Sequence, residues 1–257
     1  GRSNGGNACC KSAYNSRTQI KDENTGTSYS FASKEDSAYH EIMLPEYADK
    51  KFKDPSVFSN EVESKEKKKN SQLYLECVLA LPKEEDVSLE MKVEMVHEFV
   101  KRKGWVEGGL GVQVDIHEPH EGEMNWHAHL LVTTRRFTKD GVGLGEKARD
   151  LQPNVRFGKL KRSPDIDNNI LWTDVQNDIF KSHGMDLRVD LPGEITQEHI
   201  GPVRMRSVLN QAVDRNEIRR IANIESITDG SDLIDRVTKH SSVFSEHDLR
   251  RAVGTRT

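Results

Sequence analysis

Asn125-Trp-His-Ala-His-Leu-Leu-Val-Thr133 constrains the fold of this chain more than any other stretch. In an extended strand successive side chains point to opposite faces, so His127 and His129 share one side and Ala128 takes the other. The apolar residues that follow, Leu130, Leu131 and Val132, make this a buried strand, where a rigid backbone can hold two imidazoles. Val112-Gln-Val-Asp-Ile-His117 is a second strand with the same alternation, and it ends on a third imidazole. If the two strands pair across the acidic segment 118–125, His117 arrives beside the other two. Three neutral imidazole nitrogens form an open metal site with room for water or phosphate oxygens. His120, in the connecting segment, competes for the third position. Asp115 faces the same side as His117, either as an acceptor that fixes a ring tautomer or as an ordinary surface carboxylate. A lone His-x-His in a chain with ten histidines is weak evidence, and the strand context and His117 give it weight.

The rest of the 257 residues reads as one large α+β domain, or a domain with an appendage. At 34% hydrophobic and 31% charged the chain is polar, yet long enough to bury a core. No run approaches the roughly 18 apolar residues of a membrane span. Gly1 to Gly6 is polar, unlike a signal peptide. Cys9, Cys10 and Cys77 make no paired framework and read as reduced thiols, which places the chain in the cytoplasm. It begins with Gly rather than Met and so reads as a fragment. The net charge of −4 speaks against a nucleic-acid partner, but distribution matters more than the sum. Basic residues cluster at Lys65, Lys67, Lys68 and Lys69, at Arg156, Lys159, Lys161 and Arg162, and at Arg204, Arg206, Arg215, Arg219 and Arg220. Each cluster is either a solvated face or a grip on a phosphate backbone.

Along the chain, residues 6–18 form a short helix, 20–37 are polar and turn-rich, and an apolar stretch from Ile42 ends at Pro45. Residues 57–69 are a charged helix. Leu73 to Leu81, with one charge at Glu76, is a buried strand stopped by Pro82. Residues 88–103 carry apolar residues at helical spacing, with Ser88 as N-cap and Gly104 as stop. Residues 138–169 read as a long surface loop, 171–183 as a helix and 185–190 as a possible strand. Helices follow at 204–224, 231–240 and 245–253.

Five motifs occur in order: Ser12-Ala-Tyr-Asn-Ser16, Glu41-Ile-Met-Leu-Pro45, Asn70-Ser-Gln72, Ala80-Leu-Pro82 and Asn125-Trp-His-Ala-His-Leu130. Together they resemble the landmarks of the MobA/MobL relaxases, and more narrowly of the TraA-type conjugative relaxases. His183-Gly-Met-Asp-Leu-Arg-Val-Asp190 and Ile200-Gly-Pro-Val-Arg-Met-Arg206 resemble the end of that relaxase region. The segment from Leu233 to Val253 resembles the lead-in to the helicase part of such proteins. The resemblance divides the chain into a relaxase domain over 1–206 and a helical linker over 207–257.

What the resemblance implies is specific. The fold is that of HUH endonucleases: α+β, with a central antiparallel sheet flanked by helices. The nucleophile falls on Tyr14 and the metal ligands on His127 and His129, with His117 as the third. The connection from His117 to His127 is longer than usual for the family, which keeps His120 in play. The family's acidic residue falls on Glu76, with Glu41 as a second candidate. The cofactor is a divalent metal ion, Mn or Mg, with Zn or Ni also suited to imidazole. The implied activity is nicking of one strand at a plasmid or conjugative-element transfer origin, through a 5′-phosphotyrosyl intermediate made by metal-dependent transesterification. Its partners are single-stranded DNA at that origin, a helicase domain in the full-length protein and conjugation accessory proteins. Relatives begin with a strand ahead of the Gly1-Arg2-Ser3 start, so the sheet is expected to lack its first strand and the isolated chain to fold or act poorly.

Three other readings stay open. One is a non-catalytic relative that holds single-stranded DNA, favoured by the short start and the net charge. Another is a rolling-circle replication initiator, against which the tail after 183 argues. A histidine-triad metal hydrolase fits His-x-His but gives Tyr14 no role.

Overall fold

β5 (Val112–His117) and β6 (His127–Thr133) form the centre of a four-stranded sheet in a computed structural model that describes residues 5–119, 125–150 and 164–189. Their register is antiparallel, Val112 opposite Val132 through His117 opposite His127. β3 (Ser37–Met43) pairs with β5, and β4 (Tyr74–Ala80) with β6, giving the order β3-β5-β6-β4 with every pair antiparallel. Every residue of β5 is buried, because helices cover both faces of the sheet centre.

One face carries Val112, Val114 and Ile116 of β5 beside Ala128, Leu130 and Val132 of β6, all fully buried. Against it lies α3 (Leu89–Arg102), whose Phe99 meets Trp172 of α4 (Pro164–Ser182) edge-on at 5.6 Å. α3 has the expected ends: Ser88 accepts from the Met91 amide, Glu90 sits in the first turn, Lys101 and Arg102 in the last, and Gly104 follows at φ 63°. The opposite face carries Gln113, Asp115 and His117 with His127, His129 and Leu131. It is covered by α1 (Ala8–Ser16) and α2 (Pro55–Lys65), and its apolar floor joins Ile42, Leu131 and Tyr74 to Phe52, Phe58 and Val62.

Several local expectations are corrected. The stretch 20–37 contains nearly all of a small hairpin, β1 (Gln19–Lys21) with β2 (Ser28–Ser30), closed by a turn at Asp22–Gly26. β3 starts five residues before Ile42, because its first half is polar and masks a strand that pairs with β5 from Ser37 to Met43, with one irregularity between Ser37 and Tyr39. α2 starts at Pro55, since Pro suits a first helical turn and Asp54 caps the Ser56 and Val57 amides. β4 is an edge strand rather than one buried on both faces: Glu76, Val78 and Ala80 are exposed while Tyr74 and Leu79 are buried. The long loop after residue 138 folds in part, as β8 (Leu144–Lys147) pairs with β7 (Arg135–Phe137). α4 begins seven residues before Leu171, and residues 185–189 are not a strand.

The described core belongs to one compact unit, Gly1–Leu187, and Arg188–Thr257 forms a second. The boundary expected at 206, the linker over 207–257 and the helices placed there lie outside the described residues. No helix among the described residues is long and apolar enough to cross a membrane.

Candidate active site

The polar half of β5 is the origin of the site. Gln113, Asp115 and His117 are fully buried beneath α1, so each needs a partner. Ser12 of α1 donates to Gln113 Oε1 at 2.7 Å, and Gln113 Nε2 donates to Asp115 Oδ2 at 2.7 Å. His40 Nδ1 lies 2.6 Å from Asp115 Oδ1. Asp115 is therefore an interior anchor, opposite both His40 and His129 in register, and not a surface carboxylate.

His117 completes the row and reaches the tyrosine helix. Its Nε2 donates to the backbone carbonyl of Asn15 at 2.6 Å. A carbonyl can only accept, so this contact fixes the tautomer and leaves the Nδ1 lone pair. His127 Nδ1 likewise donates to the Asn125 carbonyl at 2.8 Å, which leaves its Nε2 lone pair. His117, His127 and His129 each present a nitrogen within 4.8 Å of the others, with ring centroids 4.9 to 5.3 Å apart. Burial pushes His129 down to about 3, helped by the two neighbouring imidazoles, and burial also lowers His117. Three converging imidazoles, two of them (His117 and His127) oriented by backbone carbonyls and two of them (His117 and His129) kept unprotonated by burial, have the donor chemistry of a divalent metal site. His120 lies outside the described residues.

Tyr14 sits on α1, 39% exposed, one residue before the carbonyl that holds His117. Phe31 meets its ring edge-on at 5.2 Å, and Arg17 and Lys34 place cations 4.6 and 4.7 Å from its centroid. Glu76 lies on the same face of the sheet, two residues along β4 from Val78, which is opposite His129. Its carboxylate pairs with Lys11 of α1 at 2.6 Å, one helical turn before Tyr14. Glu41 points to the other face, where Tyr39, His97 and Lys53 surround it at 2.8, 2.9 and 3.3 Å. Strand parity thus separates the two acidic candidates.

Sequence reading missed Arg17 and Asp36. Arg17 caps α1 and binds Asp36 through Nε at 2.6 Å and Nη2 at 2.7 Å, with both side chains buried. The Arg17 hydrogen bonds hold the Asp36 carboxyl down at about 2. Arg17 Nη2 also lies 3.2 Å from His117 Nδ1. No periodicity marks this pair; only the turn before β3 brings it together. Of the basic clusters, Lys65, Lys67, Lys68 and Lys69 are exposed at the end of α2, and the other two lie outside the described residues.

An antiparallel sheet with flanking helices and three imidazoles converging on its central strands is the α+β relaxase fold. A solved structure described as "Molecular Basis of Vancomycin Resistance Transfer in Staphylococcus aureus" matches it with a TM-score of 0.60 and 30% identity, over 74% of this chain and 93% of that one. The MobA/MobL family model matches residues 7–199, and the chain belongs to that family. It is 27% identical to the conjugal transfer protein TraA of Rhizobium radiobacter over 98% of its own length, and 26% identical to the mobilization protein MobL of Acidithiobacillus ferridurans over 78%. It spans 26% of the length of that TraA and 59% of that MobL.

Proposed function

We propose that this chain is the nicking domain of a conjugative relaxase, cutting one DNA strand at a transfer origin by transesterification onto Tyr14. The observation that carries this reading is the 2.6 Å bond from His117 to the carbonyl of Asn15, which ties the tyrosine helix to the three-imidazole cluster. His117, His127 and His129 would hold a divalent cation, with Mn or Mg as the physiological choice. Such an ion neutralises charge on a bound phosphate and polarises its phosphorus.

The chain's own residues supply the rest. The exposed Tyr14 hydroxyl attacks the scissile phosphorus; the new bond is Tyr14 Oη–P, and the bond that breaks joins phosphorus to the 3′ oxygen. The tyrosine proton leaves and the departing 3′ oxygen gains one, so the products are a 5′-phosphotyrosyl strand and a free 3′ hydroxyl. One phosphodiester replaces another, so strand transfer can later reverse the step without ATP. Glu76 is an exposed carboxylate on the site face, and Lys11 holds it beside the tyrosine helix. The exposed lysines after α2 would grip the strand's backbone, with salt-sensitive affinity. In the full-length protein a helicase would follow, in keeping with the larger TraA relatives.

The test is a labelled single-stranded oligonucleotide bearing a cognate or related transfer origin, incubated with Mn2+, with EDTA and with Tyr14→Phe, then run on a denaturing gel. A metal-dependent, protease-sensitive shifted band that Tyr14→Phe abolishes supports the reading. Tight oligonucleotide binding with no covalent band sinks it and leaves a DNA-holding relative.

A further inference from the structure

Arg17 occupies backbone that a side-chain-bearing residue avoids. Its φ is 54°, and among the described residues no other non-glycine has a positive φ. Strain of this kind persists where surrounding contacts impose it, often at functional sites. Here the contacts are the two bonds to Asp36, a bond to the Tyr14 carbonyl and the approach to His117.

The last of these bears on the reading of His117, His127 and His129 as metal ligands, on which this inference rests. The Nε2 proton of His117 is committed to Asn15, so Nδ1 is the lone pair left for a cation. The Arg17 guanidinium donates to that same lone pair from 3.2 Å. It also places a positive charge beside a site for a dication, with little water to screen it. Asp36 counters both effects: its two oxygens claim Nε and Nη2, and its charge cancels that of Arg17.

We propose that Arg17 and Asp36 are an opposed positioning pair that sets the affinity of the histidine site: Arg17 competes with the metal for His117 Nδ1, and Asp36 restrains Arg17. The same guanidinium covers the ring of Tyr14 at 4.6 Å, so the pair adjoins ligand and tyrosine at once.

The test is calorimetric titration of the full chain with MnCl2 alone, with melting in EDTA as a control for folding. Asp36→Asn leaves the cation unopposed and should weaken Mn2+ binding about tenfold or more, the scale of an outer partner's effect on a metal site. Arg17→Gly, which suits the left-handed backbone, should tighten binding about tenfold. The double variant should regain at least the wild-type affinity, an inversion that mere structural damage would not give. A double variant as weak as Asp36→Asn, or an Arg17→Gly that binds no tighter than wild type, overturns the proposal. If Asp36→Asn does not fold, Arg17→Gly against wild type decides alone, with Arg17→Asn as its stand-in. Wild type that binds Mn2+ no better than His117→Ala overturns the metal reading and this proposal with it.

Discussion

Asn15 and His117 lie 102 residues apart in the chain and are joined by a single 2.6 Å hydrogen bond. It orients a candidate ligand and fixes the C-terminal turn of the candidate nucleophile's helix. His117→Ala should therefore act on both. We expect loss of measurable Mn2+ binding by calorimetry. We also expect about 1–3 kcal/mol less stability in urea unfolding with EDTA, because the Asn15 carbonyl loses its buried donor.

The histidine cluster makes metal-free stability depend on pH. His129 is held down to about 3 in the folded chain, against an ordinary value of 6.5. Between these values the unfolded chain binds a proton that the folded one refuses, so stability falls as pH drops through that window and is level above it. Melting in EDTA from pH 8 to pH 4 should show a plateau and then a decline that starts near 6.5. His129→Gln should flatten the decline; an unchanged profile would remove His129 as its source.

The buried chain from Ser12 through Gln113 and Asp115 to His40 predicts a cost where the polar network is cut. Ser12→Ala removes the donor to Gln113 Oε1, and both residues are fully buried. Chemical denaturation should show a loss of about 1–3 kcal/mol. Gln113→Leu in the same background should cost less than the two single losses added, since the pair acts as one unit.

Glu76 separates chemistry from stability. Its pair with Lys11 is half-exposed, and such pairs contribute no more than about 1 kcal/mol. Glu76→Gln should leave the melting temperature nearly unchanged while lowering the yield of covalent DNA adduct on the gel. An adduct yield equal to wild type would assign Glu76 to the surface alone.

The centre of the sheet was legible because its strands alternate apolar and polar residues. Val112–His117 and His127–Thr133 have the expected ends, and their pairing brings the three imidazoles together. β4 was harder: a run of apolar residues does not say whether a strand lies inside a sheet or at its edge, and Val78 is 59% exposed. The choice between Glu41 and Glu76 depended on which residues of each strand share the face of the imidazoles, which only register determines. The hairpin after Phe137 was hidden by its glycines. Gly141 has φ 74°, and an added Cβ would lie 1.9 Å from the Tyr47 carbonyl oxygen, so the residue that looked like loop composition is a packing requirement. Arg17 and Asp36 carried no signal, since a helix cap and a turn residue 19 positions apart meet only in three dimensions.

The span between Asn15 and His117 also orders events during synthesis. A ribosome releases the tyrosine helix early and the strand bearing His127 and His129 much later, and α1 cannot complete its buried hydrogen bonds until β5 brings Gln113 and His117 to Ser12 and Asn15. Over that interval an unfinished polypeptide carries Tyr14 without the three imidazoles beside which its helix finally packs. Products that end before His117 thus hold the proposed nucleophile but none of the proposed ligands, and are expected to form no covalent adduct with DNA.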